Sequence, residues 1–240
     1  NTLLTDRELP RAAEFAAQAS ALGADAVLVQ DMGVVRLLRQ VAPDLPVHAS
    51  TQMTLHNLDG VKMAAELGMT RAVLSRELSR DQIEYICQRS PIEIEVFAHG
   101  ALCMCYSGQC FLSSIIGGRS GNRGLCAQPC RLKYGWGDKA DSNPLSLKDL
   151  SLAGHLRELR KMGVACLKLE GRMKRPEYVA VVTGIYSRAI KEDREPTAEE
   201  LEQLRAAFSR QGFTQGYYLD QQGPDMFGVR EEEKEPRELF

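Results

Sequence analysis

The sequence predicts an α/β protein: an incomplete (β/α) barrel of the TIM type, carrying a cysteine-rich loop and a β-hairpin insertion. Three observations predict it. Short apolar strands alternate with single amphipathic helices, the unit recurs about every 22 to 25 residues, and polar residues gather where the strands end. One helix between strands implies right-handed βαβ units and a parallel sheet, and an even repeat favours a barrel over an open sheet.

The elements follow in order. "RAAEFAAQASALG" is an amphipathic helix closed by Gly23, and "ADAVLVQD" is a short buried strand. Helix "GVVRLLRQVAP", strand "PVHASTQ", helix "NLDGVKMAAELG" and strand "RAVLSRE" come next. Ser79 caps helix "LSRDQIEYICQRS", and "IEIEVFAHG" is the fourth strand. Gln30, Asp31, Ser50, Thr51, Gln52, Arg76, Glu77 and His99 all fall at C-terminal strand ends, where such a barrel keeps its active face. Beyond the cysteine segment, "CRLKYGWGDKADSNPLSLKD" reads as a hairpin turning between Gly135 and Asn143. Helix "LSLAGHLRELRKMG", strand "VACLKLEGR" and a helix from Pro176 to Lys191 follow, with proline near the start, where no amide is needed. A Thr-Ala-Glu-Glu capping box opens "TAEELEQLRAAFSRQ", a helix read as stopping at Gly212. Residues 1–195 read as the barrel portion, with the cysteine segment at 99–134. Residues 196–240 read as a helix and turn-rich tail of the same domain, ending in the solvated run "REEEKEPRE". About five barrel strands are visible against the eight that closure needs, so part of the barrel is expected to be missing, most clearly before "NTLL".

Composition narrows the class. The chain has 240 residues, 44% hydrophobic and 26% charged, with a formal net charge of -2, which argues against a generally basic nucleic-acid binder. No run of about 18 apolar residues is long enough to span a membrane, and no basic, then apolar, leader opens the chain. A cytoplasmic location is therefore expected. In that reducing setting a cysteine cluster points to metal or redox chemistry rather than to disulfides.

Five of the seven cysteines, Cys103, Cys105, Cys110, Cys126 and Cys130, lie in one glycine-rich stretch. From Val96 to Gly137 there is no Asp or Glu, while Arg119, Arg123, Arg131 and Lys133 are present. Thiolates brought close together need such positive compensation. Structural zinc favours paired short Cys-x2-4-Cys knuckles, and only Cys126 and Cys130 approach one half of that pattern. The wide, irregular spacing is easier to reconcile with a four-cysteine iron–sulfur cluster, with zinc and plain buried thiols as the alternatives. Cys87 on a helix and Cys166 in a strand read as small buried hydrophobes.

The stretch "EVFAHGALCMCYSGQCFLSS" resembles the signature of the collagenase-like peptidase family U32, through Glu95, Phe97, Gly100, Ala101, Leu102, Cys103, Ser107, Gly108, Cys110, Leu112 and Ser113. "GRSGNRGLCAQPCR", "SLKDLS", "LKLEGRMKRPEYVA" and "FTQGYY" resemble further blocks of that family. Despite its name, the resemblance implies iron–sulfur (4Fe-4S) enzymes that hydroxylate RNA pyrimidines or ubiquinone precursors, with prephenate as helper in the RNA branch. It implies Cys103, Cys110, Cys126 and Cys130 as cluster ligands. Ser151 stands where some relatives carry a cysteine, so Cys130 or Cys105 would supply the fourth thiolate.

For hydroxylation, Glu170, Arg172 and His99 are the candidate catalytic residues. Arg172 suits a small dicarboxylate metabolite or an RNA phosphate, and its alternative is a structural ion pair with Glu170. His48, Gln52, Arg119, Arg123 and Arg131 are candidates for binding the substrate, a ribosomal RNA or tRNA; His48 reads equally as a satisfied core histidine. Tyr106, Tyr134 and Trp136 offer faces for a displaced base, or simple packing of the hairpin. Two other classes compete. A peptidase would need a nucleophile and base, such as Cys103 or Ser113 with His99, and no His-Glu-x-x-His zinc motif exists. A non-catalytic RNA-binding module would use the cluster only as a structural knot.

Overall fold

Asp31, Asn57, Ser79 and Thr197 each start a helix by the same physics: a short polar side chain accepts the amides that the first turn leaves orphaned. Asp31 takes Gly33 N at 2.7 Å and Val34 N at 3.2 Å; Asn57 takes Gly60 N at 2.8 Å. Ser79 with Gln82, and Thr197 with Glu200, close reciprocal capping boxes. The computed structural model describes residues 1–137, 139–171 and 174–229. The expected tail run from residue 230 lies outside them.

Helix α1 (Leu9–Ala21) leads into β1 (Val27–Val29), followed by α2 (Met32–Val41), β2 (Val47–Ala49), α3 (Leu58–Glu66), β3 (Arg71–Val73), α4 (Arg80–Cys87) and the long β4 (Glu93–Ala101). After β4 come α5 (Leu112–Gly117), β5 (Tyr134–Trp136), β6 (Lys139–Ser142) and β7 (Asp149–Ser151). The chain continues through α6 (Leu156–Met162), β8 (Cys166–Leu169), α7 (Pro176–Lys191), α8 (Ala198–Ala207) and β9 (Phe213–Thr214). Seven strands form one sheet in the order β1-β2-β3-β4-β7-β9, with β8 also paired to β4; β5 and β6 form a separate hairpin. All sheet pairs are parallel except β4 with β7.

The register decides which residues face the core. Val29, Ala49, Ala72 and Ile94 stand level across four strands, all buried, and join one apolar cluster with Val35, Leu38, Val61, Ile83 and Ile86 of the helices. Side chains alternate along a strand, so Leu28, His48, Arg71, Glu93 and Glu95 occupy the opposite face. That face is charged: Arg71 pairs with Glu93 at 2.7 Å, and Lys168 with Glu95 at 2.9 Å. A closed barrel would fill its interior with layers of mostly apolar side chains. Here the sheet is open, and the repeat establishes α/β units rather than closure.

Three further expectations are corrected. Asp149–Ser151 is a strand, not the lead into a helix, because β4 and β9 satisfy its backbone on either side and Asp149 is paired with Arg210 at 2.5 Å. Helix α6 accordingly begins at Leu156, after a 3-10 turn over Ala153–His155. Helix α8 ends at Ala207, since Phe208 is extended and the chain turns into β9. The hairpin forms, but Tyr134 stands level with Ser142 and Trp136 with Lys139, so most of the stretch read as its turn is strand.

Candidate functional site: the cysteine loop on the strand ends

The cysteine segment leaves β4 and folds back over the C-terminal ends of β2 and β3. Glu77, just past β3, accepts from Ser107 N at 3.0 Å and Ser107 Oγ at 3.2 Å, and its other oxygen meets His56 Nε2 at 3.2 Å. Thr54 Oγ1 donates to Ser107 O and accepts from Gln109 Nε2, both at 2.8 Å. Gly108, at φ +83°, lies so close to the chain of Gln52 that a Cβ would sit 2.4 Å from Gln52 O. Gly100, at φ +109°, leaves the same clearance for the exit of β8, where a Cβ would meet Glu170 O at 2.6 Å. These are the two glycines whose missing side chain builds the site.

Arg131 locks the far end of the loop. Its Nη1 donates to Leu147 O at 2.7 Å and to Ser146 Oγ at 3.3 Å, and its Nη2 to Leu102 O. The guanidinium is therefore spent on holding Leu102 to the Ser146–Leu147 segment ahead of β7, not turned outward to a phosphate. Ser113 Oγ accepts from Ala127 N at 2.9 Å, which fastens the Cys126 turn to α5. That hydroxyl is a strut, and no bond joins it to His99 among the described residues.

The thiols are neighbours. Burial pushes the Cys130 thiol up; the Arg131 charge beside it opposes this, and Cys103, Cys126 and Cys110 lie within electrostatic reach. Burial likewise raises Cys105, which feels Cys110 and Cys103. Gln128 N donates to Cys126 Sγ at 3.3 Å, the kind of amide–sulfur bond that favours a thiolate. All seven cysteines are free thiols, and Cys103 is exposed. Among the described residues no three His, Cys, Asp or Glu side chains already converge on one metal-binding point. The donors thus fit a thiolate-held group in number and kind without forming a closed cage. Ser151 is buried in β7, level with His99 of β4. Cys87 stands apart on α4, its thiol pushed up to about 11 by burial, and Cys166 on β8 lies beside Glu95.

The remaining expected residues separate. Glu170, at the end of β8, receives Arg76 Nη2 at 3.4 Å, while its amide donates to His99 O. Gln52 lies under the loop in the 3-10 turn Thr51–Met53. Arg172 lies outside the described residues. His99 is 1% exposed, ringed by Tyr178, Tyr186 and Phe213, with its pKa pulled down to about 4 mainly by burial. His48 is remote from the loop, in a cleft of about 860 Å³ that also borders Asp25, Thr70 and Arg71 near the N-terminal strand ends. Arg119 is exposed and donates to Leu125 O; Arg123 is tied to Glu8 and to Leu3 O. Asp31 proves to be a helix cap. Sequence reasoning marked Arg76 and Glu77 only as polar strand ends, and the docking of Ser107 on both had no signal in spacing.

An open, parallel-rich sheet bearing a loop of free thiols on its strand ends defines a thiol-centred α/β protein. The chain belongs to peptidase family U32, whose profile matches residues 1–227. It is 41% identical over 203 residues to the 23S rRNA 5-hydroxycytidine C2501 synthase of Escherichia coli, covering 81% of this chain and 31% of that protein. It is 39% identical over 176 residues to tRNA hydroxylation protein P1 of Bacillus subtilis, covering 68% of this chain and 42% of that one. A protein named collagenase from Porphyromonas gingivalis is 34% identical over 248 residues, covering 92% and 58%. The chain thus spans about a third to three-fifths of the length of these relatives.

Proposed function

We propose that this chain carries the iron–sulfur centre and part of the substrate site of an enzyme that hydroxylates a pyrimidine in ribosomal or transfer RNA. The observation that carries this is the set of neighbouring thiols on the strand ends, within a chain 41% identical to an rRNA hydroxycytidine synthase. Cys103, Cys110, Cys126 and Cys130 are the ligands, with Cys130, beside the Arg131 charge, preferred to Cys105. A 4Fe-4S group there supplies one-electron and oxygen chemistry; zinc, with no redox state to offer, is the lesser reading. The protein's part is orientation and shelter. Gly108 and Glu77 set the loop against the sheet, Gln128 N and Arg131 favour charge on the sulfurs, and exposed Tyr106 offers a face to a displaced base.

Exposed Arg119 and Lys133 are the phosphate contacts of the basic loop, and Arg172, two residues past Glu170, is assigned to a small dicarboxylate helper such as prephenate. His99 is assigned to the scaffold, because its ring is buried among aromatic side chains. We read the open sheet as part of a (β/α) barrel, supported by its run of parallel β/α units. No helix among the described residues is long and apolar enough to cross a membrane, and a cytoplasmic location is part of the same proposal. The test is incubation of anaerobically purified full-length protein with RNA from a strain lacking it, in aerated extract of that strain to supply the oxidant and any helper metabolite, followed by mass spectrometry of the nucleosides. A gain of one oxygen on a pyrimidine is expected. An unchanged profile together with cleavage of gelatin would return the assignment to a peptidase.

A further inference from the structure

Three buried polar atoms have no hydrogen-bond partner among the described residues and share one end of the sheet: Gln30 Oε1, Gln52 Oε1 and Arg76 Nε. They follow β1, β2 and β3, which are neighbours in the sheet. Gln30 continues the row of Leu28 on the face opposite the helices, the face that also carries Phe97. The Arg76 side chain is nine-tenths buried, its guanidinium carbon 3.6 Å from the centre of the Phe97 ring. The cysteine loop covers Gln52 and Arg76 directly, through Gly108 against the Gln52 backbone and Ser107 Oγ at 3.5 Å from Arg76 N. Buried polar atoms are seldom left unpaired in native folds. Three at the ends of adjacent strands, two of them beneath the loop of thiols, mark a place for a ligand.

We infer that Gln30, Gln52 and Arg76 form the pocket that receives the edge of the target pyrimidine; this rests on the RNA reading above. Charge selects the ligand. The Arg76 cation is met by Glu170 at 3.4 Å, and the Glu77 carboxylate lies beside it under the same loop, so the site offers no surplus positive charge for a dianion and suits a neutral heterocycle. An amide can present either its oxygen or its nitrogen, and arginine can only donate. Two amides and one donor match the alternating donors and acceptors on the edge of uracil or cytosine. A base turned out of its strand is read by such contacts in enzymes that act on bases. Gln30, Gln52 and Arg76 are thus positioning groups for the base, beside the thiols but not ligands to them.

The test uses full-length protein and two oligoribonucleotides: an adenosine decamer with a single central uridine (the uridine decamer), and the same decamer with that position abasic. Gln52→Ala and Arg76→Lys should each weaken the uridine decamer about tenfold and leave the abasic one unchanged, the scale of one lost base-edge contact. In the unaltered protein, a decamer with a single 4-thiouridine should cross-link to the peptide holding Gln52 or Arg76, a readout independent of how the variants fold. Equal weakening of both decamers, or cross-links confined to the basic loop, would overturn the pocket while leaving RNA hydroxylation standing. Failure to bind either decamer, with no hydroxylation of RNA, would overturn the RNA reading and the pocket with it.

Discussion

Replacing His99 with phenylalanine should flatten part of the acid sensitivity of the fold, and the size of the effect follows from the geometry. Tyr186 donates its hydroxyl proton to Ala98 O at 2.9 Å, so it can only accept from His99 Nδ1, 3.2 Å away. The neutral ring therefore carries its proton on Nδ1. A second proton would go to Nε2, which is buried with no acceptor among the described residues. Burial chiefly, and the positive charge of Lys174 next, hold the pKa down to about 4 against 6.5. In the window between these values the unfolded chain binds more protons, so stability rises with pH. The His99 contribution is complete above pH about 6.5 and lost as pH falls toward about 4, some 3 kcal/mol in all. Tyr178, Tyr186, Phe213 and Lys174 are the groups around the ring, and the tyrosines stay neutral throughout this window. Urea unfolding of the protein and of His99→Phe at pH about 7.5 and about 4 provides the assay. The stability difference between the two should shift by about 3 kcal/mol in favour of the variant at the lower pH. Parallel pH profiles would refute the buried-neutral assignment.

Gly108→Ala should undock the cysteine loop, because its Cβ would meet Gln52 O at 2.4 Å and φ is +83°. Iron bound after anaerobic purification should fall severalfold, while far-ultraviolet circular dichroism stays unchanged. Arg210→Met leaves the Asp149 carboxylate buried beside an apolar side chain, and chemical denaturation should show a loss of about 3–5 kcal/mol. Arg131→Met strips three acceptors at once, and limited proteolysis should then cut first between Cys110 and Cys130.

The first half of the fold was legible because its signals are local. Capping residues Asn57 and Ser79, the apolar period of the helices and the buried Val47 and Ala49 of β2 specify βα units without reference to anything distant. Strands β7 and β9 were not legible. Three and two residues cannot show a period, and each is strand only because β4 and β7 offer it partners. The cysteines were visible as a cluster, since composition records it directly. The platform beneath them was not: Glu77 joins Ser107 across 30 positions, and Arg76 joins Glu170 across 94. Likewise His99, two residues inside the end of β4, and Asp31, just past β1, were read as polar strand-end residues, yet tertiary packing buried the one among aromatics and gave the other to a helix start. Position along a strand says where a side chain begins, and only the fold says what it meets.

The central claim, that this thiol loop is where an RNA pyrimidine gains its oxygen, is tested most directly in a strain lacking the gene. It is complemented with the full-length protein, with Cys110→Ser or with Cys87→Ser, and its RNA nucleosides are measured by mass spectrometry. The account predicts a hydroxylated pyrimidine with the unaltered protein and with Cys87→Ser, whose thiol stands apart on α4, and none with Cys110→Ser. Full modification with Cys110→Ser, at matched protein levels, would contradict it.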